Sequence, residues 1–91
     1  MASSYGTVTV TTAATVIVAL NNFREGTLLY NNGTATVFIG MDTSLTTSNG
    51  FPIIAGAYFT NAGYTHLYRG PIYGIVAAAT QNVRFWQWET I

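Results

Sequence analysis

Between Thr7 and Leu20 apolar and polar side chains alternate with a period of two. Val8, Val10, Val16, Val18 and Leu20 fall on even positions, and Thr7, Thr9, Thr11 and Thr15 on odd ones. That spacing places each set on one face of a β-strand. The stretch is longer than an ordinary strand, so a break near Ala13-Ala14 is predicted, giving two strands or one bent one. Residues 21–26 carry turn chemistry, and Thr27–Tyr30 then reads as a short strand. Asn31-Asn32-Gly33, lying between two apolar runs, predicts a type I′ hairpin turn with Gly33 at positive φ. The strand returning from it is Thr34–Gly40, with Ala35, Val37 and Ile39 on one face. Residues 41–50, polar and closed by Gly50, read as a loop, and Pro52 restricts 51–54 to a sheet edge. Ala55-Gly56 turns into Ala57–Thr60, and further strands are expected at 65–68, 72–77 and 83–88. Turns recurring roughly every eight to twelve residues predict an all-β fold. The expected architecture is a small antiparallel β-sandwich, jelly-roll-like, or a barrel. One domain covers 1–91, with residues 1–6 as a loose N-terminal arm.

Composition narrows the function classes. Of 91 residues, three are Lys or Arg and three Asp or Glu, making 7% charged with zero net charge. Ordinary soluble domains carry about 25%. No nucleic acid is expected as a partner, because phosphate affinity needs many cations on one face and only Arg24, Arg69 and Arg84 are present. There is no Cys, so disulfides, thiolate metal sites and Cys nucleophiles are absent together. A small domain without such staples gains burial from subunit contacts, so a homo-oligomer is expected. No membrane span or signal peptide is expected either. Residues 1–5 carry no positive charge, and the apolar stretch 13–20 is short. The chain is expected to be made in a cytoplasm and kept there unless something carries it out.

Catalytic chemistry has little to draw on. His66 is the only imidazole, and neither Ser44 nor Ser48 lies in a nucleophile-elbow pattern. His66 reads as a hydrogen-bonded sheet or interface histidine, and the chain as not an enzyme. Asp42 to Asn49 is oxygen-rich but holds one carboxylate, which suits Asx and Ser/Thr turns better than a calcium loop. Nothing in the spacing of Glu25, Asp42 and Glu89 brings two carboxylates together. No metal and no cofactor is expected. The aromatics stand out instead. Trp86 and Trp88 share one strand face with Arg84, while Val83, Phe85, Gln87 and Glu89 share the other, and Tyr58, Tyr64, Tyr68 and Tyr73 add amphipathic rings. Aromatics with Arg are the types enriched at protein interfaces, so Arg84, Trp86, Trp88, Tyr68 and Tyr64 are the candidate interface. Stacked rings also bind sugars, and a tryptophan can simply complete a core. Asn32, Gly33, Gly50 and Gly56 are the candidate structural turns.

The run Gly26-Thr27-Leu28-Leu29-Tyr30-Asn31-Asn32-Gly33-Thr34-Ala35-Thr36-Val37-Phe38-Ile39-Gly40 resembles a recurrent stretch in small virion proteins of tailed bacteriophages. Leu45-Thr46-Thr47-Ser48-Asn49-Gly50 and Pro52-Ile53-Ile54-Ala55-Gly56 resemble the loop and proline segment that follow it there. Pro71-Ile72-Tyr73-Gly74-Ile75-Val76 and Val83-Arg84 are similar to the closing strands. The likeness covers about Val8 to Glu89, and its motifs are mostly turn and core residues. It departs at Arg84–Trp88 and at Tyr64–Tyr68. What the resemblance implies is a β-sandwich subunit of a phage virion. The expected role is a capsid decoration (cement) protein, oligomerising on the head, contacting the major capsid protein or another virion protein, and stabilising the shell. A trimer is expected from the three-fold positions of capsids, not from any residue. The alternative is a tail-tip or fibre module that binds a host surface glycan through its aromatics.

Overall fold

The computed structural model describes residues 3–62 and 67–89. Its eight strands are β1 (Ser3–Val10), β2 (Thr15–Val18), β3 (Arg24–Asn31), β4 (Val37–Gly40), β5 (Phe51–Ile53), β6 (Tyr58–Ala62), β7 (Ile72–Ile75) and β8 (Gln81–Glu89). They form two four-stranded antiparallel sheets, ordered β1-β8-β3-β6 and β2-β7-β4-β5. The chain changes sheet at every connection except β4–β5, which is the strand order of a jelly roll. The sheets stay separate, so of the two expected architectures the sandwich is formed and the barrel is not. The break near Ala13-Ala14 falls between β1 and β2, and Pro52 sits on the edge strand β5, as predicted. Ser3–Gly6 are not a loose arm: they pair with β8, Ser3 opposite Trp88 and Gly6 opposite Phe85.

The core lies between the sheets. Val10, Leu29 and Val83 enter it from one side, Ile17, Val18, Val37, Ile39, Ile53 and Ile72 from the other. Strict alternation fails at two β-bulges, where an extra residue re-aims its neighbours. Between Val16 and Val18 the register shifts, so that consecutive Ile17 and Val18 are both buried. Between Arg24 and Gly26 a second shift turns the Arg24 side chain inward.

The Asn31-Asn32-Gly33 hairpin does not form. Both edges of β3 are already taken by β8 and β6, so the chain crosses to the other sheet, where Val37 and Ile39 reach the core. Asn31 ends β3 as a buried residue and pins this crossover, donating from Nδ2 to the carbonyls of Ala35 and Ile53, both at 2.8 Å. Gly33 does not adopt positive φ; Gly56 does, at 78°. What Gly33 supplies is room. A Cβ there would lie 1.9 Å from Gln81 Oε1, the atom that accepts from Thr34 N at 2.7 Å. Gly33→Ala therefore displaces Gln81 from the crossover. The expected loss is about 1–2 kcal/mol in denaturant melts, the cost of modest overpacking with one lost hydrogen bond. Gly50 is also needed for room, between Leu45 and Phe38.

Candidate functional site

The outward-facing side of the β1-β8-β3-β6 sheet is assembled by strand register. Trp86 lies between Tyr5 of β1 and Leu28 of β3, and Thr60 of β6 continues the row. In the next row Arg84 lies between Thr7 and Tyr30, with Tyr58 beyond. Three of these residues are large side chains left open to solvent: Tyr5 is 83%, Tyr58 68% and Trp86 56% exposed. Tyr5, Thr7, Leu28, Tyr30, Arg84 and Trp86 line an open concavity of about 770 Å³. Trp88 belongs to the same face but is half-buried, because its ring lies flat over Gly26 on β3.

Among the described residues, charge on this face is reduced to one group. Arg69 forms a half-exposed ion pair with Glu25 at 3.3 Å, Glu89 accepts from Asn21 Nδ2 at 2.7 Å, and Arg24 is buried. Among the described residues, Arg84 is the arginine with no hydrogen-bonded or ionic partner. It stands exposed among Thr7 and Tyr30. Desolvating a guanidinium without a counter-charge is costly, so a partner that covers this face has to bring an acceptor to Arg84.

Of the sequence candidates, Arg84, Trp86 and Trp88 come together. Tyr68 does not join them. It packs against the core, with its hydroxyl donating to Pro71 O at 2.7 Å. Burial raises its pKa, while the neighbouring Arg24 acts in the opposite direction. Tyr64 and His66 lie outside the described residues. Tyr58, one of the amphipathic rings of the sequence, does join this face, whereas Tyr5, Thr7, Leu28 and Tyr30 were not singled out by sequence reasoning. Their even spacing within each strand marked a common face, but which strands are neighbours is not written in any local pattern.

Arg24, read from the sequence as part of a turn, is instead the most constrained polar group of the fold. Its side chain is fully buried and makes four hydrogen bonds: Nε to Gln87 Oε1 at 2.9 Å, Nη1 to Tyr68 O at 3.2 Å and Gly70 O at 2.9 Å, and Nη2 to Ala19 O at 2.6 Å. Burial lowers its pKa, and the nearby Tyr68 works against that shift. This guanidinium ties the β2–β3 and β6–β7 connections to β8.

The 41–50 loop is a set of turns closed on itself. Asp42 Oδ1 accepts from Ser44 N at 3.0 Å and Ser44 Oγ at 2.5 Å, and Asn49 Oδ1 accepts from Thr46 N at 2.7 Å. The Ser44 hydroxyl, then its backbone N–H, hold the Asp42 pKa below the ordinary value. A carboxylate with a lowered pKa keeps these bonds above its ordinary range and loses them as the pH falls through the lowered value. In an NMR titration, the Ser44 amide shift is expected to follow Asp42, with a midpoint below that of an unperturbed aspartate. Among the described residues no three of His, Cys, Asp and Glu gather in one place.

No family model, no curated protein and no solved structure matches the chain.

Proposed function

We propose that the chain is a non-enzymatic structural subunit of a phage particle, a decoration protein that seats on the head through the aromatic face of the β1-β8-β3-β6 sheet and stabilises the shell. One observation carries this reading. An open sheet face presents Tyr5, Trp86 and Tyr58 to solvent around Arg84, which has no ionic or hydrogen-bonded partner among the described residues. Exposed aromatic patches of this kind mark contact surfaces. Low charge elsewhere on the subunit leaves little electrostatic barrier to close packing, and many modest contacts around a shell add by avidity. The jelly-roll order and the motif resemblance support the same reading, since jelly rolls serve in viral capsids as well as in lectins. On this reading the partner is a virion protein with an apolar surface and an acidic group placed for Arg84.

Trp86→Ala is expected to leave a folded domain and weaken seating on the shell by roughly thirtyfold, the effect of truncating a central tryptophan. Arg84→Glu is expected to abolish seating by setting like charges together. Sedimentation of each variant with purified particles measures both. The concavity favours one second reading, a host glycan stacked on Trp86, Tyr5 and Tyr30. Normal seating combined with lost binding to cell-surface glycan replaces the first reading with that one.

A further inference from the structure

Four strands end the two sheets: β1 and β6 in one, β2 and β5 in the other. Natural sheets blunt such edges with short strands, bulges, prolines or charges. β5 has three residues and centres on Pro52, which has no N–H to offer. β2 has four and is bulged at Ile17. β6 has five. β1 carries none of these devices. It runs eight residues, and its register with β8 is unbroken from Ser3↔Trp88 to Val10↔Gln81. It contains no proline and no charge, and no charged residue precedes Arg24. Among the described residues no strand pairs with its outer side, so alternate N–H and C=O groups point outward in a straight row.

We propose that β1 pairs with β1 of a second copy of this chain, antiparallel about a two-fold axis, joining the two β1-β8-β3-β6 sheets edge to edge. The occupant is a second copy because the strand is its own complement. Side chains directly opposite each other in an antiparallel pair lie on the same face of the sheet, so a two-fold that passes through a residue keeps like faces together. Centred on Thr7, the axis sets Thr7 against Thr7 and Tyr5 against Thr9 on the outer face, and Gly6 against Val8 on the inner one. Thr–Thr and aromatic–β-branched pairs are those that stabilise antiparallel sheets. In this register no charge meets its like. Tyr5, the most exposed of the large apolar side chains, gains a cover that its own chain does not supply.

This contact goes beyond the decoration reading and does not depend on it. It uses the strand edge, shares Tyr5 and Thr7 with the rim of the aromatic face, and does not engage Trp86 or Arg84. It is two-fold, in contrast to the three-fold association expected from shell symmetry.

Analytical ultracentrifugation of the wild-type chain is expected to give a dimer. Thr7→Lys and Thr7→Glu, each alone, bring like charges together across the axis and weaken the dimer by roughly tenfold or more. Mixing the two variants restores a mixed dimer, recognised by its mass in native mass spectrometry. Restoration on mixing shows that both variants are folded and that Thr7 lies at the axis. A wild-type monomer or trimer overturns the proposal. So do single variants that dimerise as tightly as wild type, or folded variants that remain monomeric when mixed. If circular dichroism shows that a variant has unfolded, the wild-type sedimentation result still decides. Trp86→Ala leaves the dimer intact while seating is lost, so the two readings fail separately.

Discussion

Arg24→Ala loses about 3 kcal/mol or more of stability in urea melts, the largest single-residue effect expected outside the apolar core. The side chain is 0% exposed and serves three backbone carbonyls, of Ala19, Tyr68 and Gly70, together with the Gln87 amide oxygen. Leaving a buried acceptor unsatisfied costs about 1–3 kcal/mol, and the carbonyls in connections recover part of that by meeting water. Small domains are stable by only about 5–15 kcal/mol, so the variant is left marginal. Arg24→Lys keeps the charge but not the fork. Its three N–H groups diverge from one nitrogen and do not span acceptors spread over β8 and two connections. A lysine variant as stable as wild type would show that charge, not the hydrogen-bond fork, holds these connections.

Gly26→Ala dislodges Trp88 and costs about 2–3 kcal/mol, the upper range of overpacking. A Cβ on Gly26 would lie 2.1 Å from Cζ2, 2.4 Å from Cε2 and 2.7 Å from Cη2 of the indole. Those are ring atoms held flat across the strand pair, not the end of a flexible chain, so the whole ring must move. The tryptophan emission is expected to shift to the red as Trp88 enters water, with the melt midpoint falling in parallel. Unchanged emission and stability would mean that the indole does not lie over Gly26. Because Gly26 and Trp88 are neighbours on the outer face, the variant also perturbs the surface proposed to seat on the shell.

Sequence reasoning reached the class of fold and one face of the site for the same reason. A strand's period of two and the turn chemistry of Gly, Pro and Asn act within a few residues, so alternation along 83–88 placed Arg84, Trp86 and Trp88 together. Pro52 marked an edge in the same local way. The hairpin at Asn32-Gly33 was a local inference overruled by non-local pairing: the edges of β3 were taken by strands distant in the chain, and the backbone had to cross sheets instead.

What the chain determined by itself is a sparsely charged, alternating sequence, poor in helix formers, that favours packed antiparallel sheets. The tertiary structure decided which strands are neighbours, and with that the company Trp86 keeps, since Tyr5, Leu28 and Thr60 reach its row only through cross-strand register. It also decided the direction of Arg24. A single extra residue at a bulge reverses every side chain beyond it, and no local signal in Arg24-Glu25-Gly26 announces that reversal. Periodicity is a property of one strand, whereas register and bulges belong to pairs of strands, and a pair exists only once the chain has folded.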